Sequence, residues 1–192
     1  MNEIVVISGK GGTGKTSITA SFAFINSGKV VVADCDVDAA DMHLLMQPDF
    51  NDAHDFYSGE SAEIDTGLCT HCNLCLEKCR FDAIHMNGKN IFVNSLDCEG
   101  CGYCAHICPE KAIYMKDLLA GEWYISETRL GDKLVHAKLG PGGENSGKLV
   151  AKVKNEAKII AEKNQKEYLL VDGAPGIGCP VISSIAGVDL VG

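Results

Sequence analysis

The chain has 192 residues, 46% hydrophobic and 22% charged, and a net charge of −9 from 17 Lys and Arg against 26 Asp and Glu. This is a globular composition, long enough for one sizeable core or for a core plus a smaller insert. The acidic balance argues against nonspecific nucleic-acid or anionic-lipid binding, and no apolar run approaches a membrane span. The start, "MNEIVVISGKGG", lacks the basic-then-apolar pattern of an export signal, so a reducing cytoplasm is the expected compartment. Ten cysteines in that setting point to metal before disulfides.

Residues 4–7 (IVVI) are a short continuous apolar run ended by Ser8-Gly9, the pattern of a buried parallel strand. A glycine-rich loop follows, then "TSITASFAFINS" with helical character and Gly28 as its stop, then a second buried strand at 30–33 (VVVA). This βαβ order predicts a parallel α/β sheet. Further strands are expected at 169–171 and 188–191. Ahead of them, "GKLVAKVKNEAKIIAEKNQ" puts Leu149, Val150, Val153, Ala157, Ile160 and Ala161 on one helical face. Lys152, Lys154, Glu156, Lys158 and Glu162 fall on the other, a solvated side.

Residues 67–116 break this pattern. Cys69, Cys72, Cys75 and Cys79 recur 29 residues later as Cys98, Cys101, Cys104 and Cys108, and "RFDAIHM" (80–86) recurs as "PEKAIYM" (109–115). The segment reads as a duplicated half-unit.

"GKGGTGKT" (9–16) fits G-x-x-x-x-G-K-[ST] between a strand and a helix. Gly9, Gly11, Gly12, Thr13 and Gly14 let successive backbone N–H groups turn toward phosphate oxygens, and Ser17 follows at the helix N-terminus, where the dipole favours anions. Lys15 is expected to neutralise the β- and γ-phosphates of ATP, with the Thr16 hydroxyl on Mg²⁺. The bland alternative is a glycine-rich turn with no ligand.

With its extra lysine, Lys10, the loop resembles the deviant Walker A motif of the MinD/ParA and nitrogenase iron-protein ATPases. The resemblance implies that Lys10 reaches the partner's phosphates in a nucleotide-sandwich dimer, either a homodimer or a heterodimer with a paralogue. An exposed loop lysine is the alternative. "VVVADCDVDAADMHLLM" (30–46) resembles the first switch of that family, which implies that Asp36 orients the attacking water. Asp34, Asp38 and Asp41 are nearby carboxylates. "LLVDGAPGIGCP" (169–180) resembles the second switch, implying that Asp172 holds Mg²⁺ through water and Gly176 senses the γ-phosphate. An Asp at a strand end also caps helices.

The two runs C-x2-C-x2-C-x3-C match the spacing of bacterial two-cluster ferredoxins, in which the fourth cysteine of each run serves the other cluster. Soft thiolates at this density select iron–sulfur clusters or zinc, and zinc usually appears as two C-x2-C knuckles across a longer loop. The ferredoxin spacing implies one 4Fe-4S cluster on Cys69, Cys72, Cys75 and Cys108 and another on Cys98, Cys101, Cys104 and Cys79. Pro109 follows the second run but Arg80 follows the first, a difference that bears on solvent access, potential or docking. His71 and His106 are surplus to the eight ligands.

Taken whole, the sequence resembles MinD-superfamily P-loop ATPases containing an inserted ferredoxin domain. The expected fold is a P-loop NTPase parallel sheet with helices on both faces, interrupted by an α+β bacterial-type ferredoxin. Residues 1–60 and 119–192 would form the ATPase parts and 61–118 the insert, with a C-terminal remainder missing after Gly192. Cys179 lies seven residues after Asp172, where the nitrogenase iron protein places a bridging-cluster ligand. The second such ligand would fall in 140–148, which has no cysteine.

The leading expectation is an ATPase coupled to an iron–sulfur electron-transfer module that serves a redox protein partner. The alternatives are a cluster carrier or assembly factor of Mrp type, and a MinD/ParA-like positioning ATPase with a structural ferredoxin module.

Overall fold

The computed structural model describes residues 1–88, 90–140 and 146–192, and the chain folds as two compact units. The first comprises residues 1–56 and 121–192; the second is the continuous stretch 57–120.

In chain order the strands and helices are β1 (Asn2–Ser8), α1 (Lys15–Ile25), β2 (Val30–Asp34), α2 (Met42–Met46), β3 (Ala53–Ile64), α3 (Leu74–Lys78), β4 (Ile84–Asn87), β5 (Asn90–Val93), α4 (Tyr103–Ile107), β6 (Ile113–Glu127), β7 (Lys133–Leu139), α5 (Ser146–Lys163), β8 (Tyr168–Pro175), α6 (Cys179–Ile185) and β9 (Leu190–Val191). The main sheet has the order β3-β6-β7-β2-β8-β1-β9. From β7 to β9 its pairs are parallel, but β6 runs antiparallel to β7, so the sheet is mixed rather than wholly parallel. The sequence pattern did not disclose β3, β6 or β7. β6 mixes Lys116, Asp117, Gly121 and Glu122 into its length, which hides its period.

The two faces of the sheet are written in the alternation along β2. Val31 and Ala33 join Val135, Leu169 and Val171 under α5, whose Leu149, Val150, Val153, Ala157 and Ala161 are fully buried. Val30 and Val32 join Leu134 and Leu170 under α1 and α2, through Ala23, Met42 and Met46. Helices therefore cover both faces, as expected of buried parallel strands. Gly173 lets β8 lie close to β1: a Cβ there would sit 2.7 Å from Ile7 Cγ2.

The second unit repeats its backbone as well as its cysteines. Positive φ recurs at 71 and 100, at 73 and 102, and at 82 and 111, each pair 29 residues apart, and α4 follows α3 at the same offset. Crossed hydrogen bonds tie the halves together: Asp65 N–H donates to Ala112 C=O at 2.8 Å, and Asn94 N–H donates to Ala83 C=O at 2.8 Å. The carboxylate of Asp65 accepts from Gly67 N–H and the amide oxygen of Asn94 from Leu96 N–H, so each half opens with the same side-chain turn. The head of each half thus binds the tail of the other, around a core of Ala62, Cys75, Ile84, Ile91 and Ile113.

Candidate nucleotide site and cysteine cavities

The glycine-rich loop leaves the C-terminal end of β1 and enters α1 directly. Gly12 and Gly14 sit at φ +78° and +91°, the left-handed region in which a side chain is strained. Gly14 precedes the first helical residue, which places Lys15 at the mouth of the helix.

Parallel pairing of β2 with β8 puts Asp34 opposite Asp172, and β1 beside β8 delivers the loop to the same end. Four predicted residues meet there. Lys15 Nζ lies 3.0 Å from Asp172 Oδ1 and 3.3 Å from Asp36 Oδ2, and the Thr16 hydroxyl donates to Asp172 Oδ2 at 2.6 Å. Thr19, which the motif does not mark, adds a hydroxyl 3.4 Å from Asp172 Oδ1. Burial opposes the Lys15 charge, but the Asp172 and Asp36 carboxylates outweigh it and hold its pKa above the ordinary value. Burial raises the Asp36 pKa against the pull of Lys15.

A cavity of about 430 Å³ opens over this end, lined by Gly11, Gly12, Thr13, Gly14, Lys15, Thr16, Ser17 and Asp36 among the predicted residues. Asp41, Leu44 and Leu45 also line it. Sequence reasoning named Asp41 only as a neighbour and missed both leucines, which carry no motif signal. Gly9, Lys10, Asp172 and Gly176 are not among the lining residues. Asp172 is fully buried behind Lys15 and Thr16. Gly176, at φ +90°, donates its N–H to Ser8 C=O at 3.0 Å and so closes the end of β8 onto β1. Lys10 is exposed; its carbonyl accepts from Ser8 Oγ, and its ammonium makes no ion pair among the described residues.

Asp34 is the anomaly of the site. It is 1% exposed; one oxygen accepts Asp36 N–H at 3.1 Å, and the other has no partner among the described residues. Burial, and then the Asp172 charge, push its pKa up to about 8. Cys35 is fully buried beside it, and burial pushes its thiol up out of reach of ionisation, which suits a small packing residue. Cys179 is exposed at the start of α6, and a Cβ on Gly147 would lie 3.1 Å from its Cβ. Of the stretch 140–148 in which a companion ligand was sought, residues 141–145 lie outside the described residues.

In the second unit the cysteines sort by cavity rather than by run. Cys79 joins Cys98, Cys101 and Cys104 around a space of about 340 Å³, with Arg80, Phe81 and Tyr103 at its wall. Cys108 joins Cys69, Cys72 and Cys75, with Pro109 alongside, around a tighter space of about 20 Å³. The physical cause is the crossed hydrogen bonding: each tail is carried across to the other half, and its last cysteine goes with it. Ala112 N–H donates to Cys108 Sγ at 3.3 Å, the kind of contact that tunes an iron–sulfur potential. His71 and His106 are exposed and line neither cavity.

Four thiolates on a zinc ion, at about 2.3 Å each, would stand roughly 3.8 Å apart. Among the described residues no group of three or more His, Cys, Asp or Glu is placed to hold a single ion. The thiols instead surround cavities, and their all-sulfur donor sets suit a cluster; the smaller cavity admits one only if its thiols turn outward.

Residues 62–115 match the family model for a 4Fe-4S dicluster domain. This segment is a ferredoxin-like 4Fe-4S domain. A ferredoxin of Saccharopolyspora erythraea is 37% identical over 49 residues, 26% of this chain and 46% of its own length. Two uncharacterized proteins of Methanocaldococcus jannaschii match along the chain. One is 38% identical over 190 residues, 98% of this chain, and the other 27% identical over 204 residues, 100% of this chain. The chain spans 65% of the length of the first and 69% of the second. Among solved structures, the septum site-determining protein MinD of Pyrococcus horikoshii, complexed with Mg-ADP, covers 99% of this chain and 56% of its own at 16% identity. Its TM-score is 0.43, too loose a likeness to bear on function. Among the described residues no helix is long and apolar enough to cross a membrane.

Proposed function

We propose that this chain is an ATP-binding and ATP-hydrolysing P-loop protein, with its Walker A loop of the deviant, two-lysine kind, coupled to an iron–sulfur electron-transfer module. The observation that carries the reading is the meeting of Lys15, Thr16, Asp36 and Asp172 at one strand end, in a chain that also holds a 4Fe-4S dicluster domain. Phosphoryl transfer needs no iron, so the two parts together call for a coupled function.

On ATP binding, Lys15 exchanges its carboxylate partners for the β- and γ-phosphates, and the loop N–H groups take the remaining oxygens. Thr16 and Asp172, which now bond to each other, are the residues that would hold a Mg²⁺ ion, whose charge would offset that of the phosphates. Asp36, freed from Lys15, orients the attacking water, and Gly176 reports the γ-phosphate once its N–H leaves Ser8 C=O. Lys10, exposed and unpaired among the described residues, reaches the phosphates of a second copy or a paralogue, so that turnover requires the dimer. Cys69, Cys72, Cys75 and Cys108 would hold one 4Fe-4S cluster, and Cys98, Cys101, Cys104 and Cys79 would hold the other. When bound, the clusters supply one-electron transfer to or from a redox protein in the cytoplasm.

The test is reciprocal. If nucleotide shifts a cluster potential, reduction must shift nucleotide affinity by the same free energy. A non-hydrolysable ATP analogue is titrated anaerobically into oxidised and dithionite-reduced protein carrying about eight iron per chain. Different affinities are expected. Equal affinities would leave a tethered ferredoxin and sink the coupling, while loss of turnover and of ATP-dependent dimerisation in Lys10→Ala would still test the ATPase part.

A further inference from the structure

Residues 36–45 line two cavities with different side chains. Asp36, Asp41, Leu44 and Leu45 belong to the phosphate-loop cavity; Val37, Asp38, Ala40 and His43 belong to a second cavity of about 600 Å³ in the same unit. No step of the proposed ATPase uses the second one. Its remaining wall comes from Phe50 and from the β6–β7 pair, through Tyr124, His136 and Lys138.

Three of these rings form one packed group. Tyr124 and His136 stack at 5.0 Å and 22°, and Phe50 meets both edge-on, at 5.4 and 5.3 Å. Phe50 is nevertheless 54% exposed, so a large aromatic surface is presented to an open concavity. Exposed apolar area of this kind, in a pocket with a few placed polar groups, is characteristic of ligand sites.

The polar groups are specific. His136 is 4% exposed. The Ser126 hydroxyl spends its proton on Asp49 C=O, so His136 Nε2, 2.9 Å from Ser126 Oγ, must be the protonated nitrogen. Nδ1 is then the acceptor of the ring. Burial, then the His43 charge, hold the His136 pKa down to about 4, so the ring is neutral near pH 7. The Tyr124 hydroxyl is also committed, donating to Glu122 at 2.5 Å. Lys138 is exposed and makes no ion pair within 4 Å among the described residues, with Glu122 as its cross-strand neighbour. The wall thus offers flat ring surface, the His136 Nδ1 acceptor and the Lys138 cation, together with the side chains of Asp38 and His43.

We propose that this cavity binds a planar nitrogen heterocycle carrying an anionic tail, its ring against Phe50 and Tyr124, a ring N–H donating to His136 Nδ1, and the tail on Lys138. Among the described residues no group of three or more His, Cys, Asp or Glu is placed to hold a metal ion, although Asp38, His43 and His136 all line the cavity. The proposal does not rest on ATP hydrolysis. A purine phosphate and a pterin carboxylate share the required chemistry.

The experiment is calorimetric titration of the purified full chain with GMP and with folate, alongside the tail-less guanosine and pterin. Binding of GMP, of folate or of both below about 1 mM is expected, and the pattern tells a purine from a pterin source. Lys138→Glu should weaken the tailed probe about tenfold while barely changing its tail-less counterpart, and Phe50→Leu should weaken both. Each residue is largely exposed, so both variants keep the fold, as circular dichroism can verify. The proposal is overturned if neither GMP nor folate binds below about 1 mM, or if both variants bind as the parent does.

Discussion

Replacing Asp34 by asparagine tests how the candidate site stores charge. The parent carboxyl lies at 1% exposure opposite Asp172, with one oxygen accepting Asp36 N–H and the other unpaired among the described residues. Its pKa rises from an ordinary 3.8 to about 8. Between about pH 4 and pH 8 the folded chain therefore keeps a proton that the unfolded chain has lost. Stability must fall as pH rises through that window, because folding there requires proton uptake. Each pH unit of the gap is worth about 1.36 kcal/mol, a ceiling of about 6 kcal/mol. An effective dielectric nearer 20 than 4 lowers this to about 2–3 kcal/mol. In Asp34→Asn the amide oxygen would still accept the Asp36 N–H, but the side chain would not titrate. The variant should match the parent near pH 4 and exceed it by about 2–3 kcal/mol at pH 8 and above. Urea unfolding over a pH series measures this through Trp123, the one tryptophan, 7% exposed in the first unit's core. If parent and variant lose stability in parallel from pH 4 to 8, the burial argument is wrong.

Lys15→Met should abolish binding of a fluorescent ATP analogue and also destabilise the nucleotide-free chain by about 3 kcal/mol, since Asp172 and Asp36 lose their cation; unchanged affinity would exclude the phosphate role. Cys108→Ser should give an electron paramagnetic resonance spectrum like that of Cys69→Ser, because both line one cavity, and a match to Cys98→Ser would refute the exchange of fourth cysteines. At Gly100, φ is +64° and a Cβ would lie 2.4 Å from Glu60 C=O. Alanine there should lower the stability of the second unit by about 2–4 kcal/mol. At Gly102 (φ +69°) there is open space, and alanine should lower it by only about 1–2 kcal/mol. Thermal bleaching of the cluster chromophore compares the two variants, and equal losses would show that the contact with Glu60 does not matter.

Much of this protein is determined by short-range chemistry, and that part is legible in the sequence. The phosphate loop needs glycines at fixed offsets between a strand and a helix, and Gly12 and Gly14 occupy left-handed positions accordingly. The 3.6-residue period of 149–161 marks the apolar side of α5 that is buried, but Lys154, expected on the solvated side, is buried too, donating to the Ser184 and Ala186 carbonyls; the 29-residue repeat reappears in dihedral angles as well as in letters. Tertiary structure alone decided which elements lie side by side. β6 and β7 lack a clean period because their environment changes along their length, and β6 pairs antiparallel to β7, which ends the run of parallel strands β7, β2, β8, β1 and β9. The placement of Asp34 opposite Asp172, with one Asp34 oxygen unpaired among the described residues, comes from the pairing of β2 with β8. The ring group of Phe50, Tyr124 and His136 joins residues 74 and 12 positions apart, a juxtaposition that no local pattern encodes and only the pairing of distant strands creates.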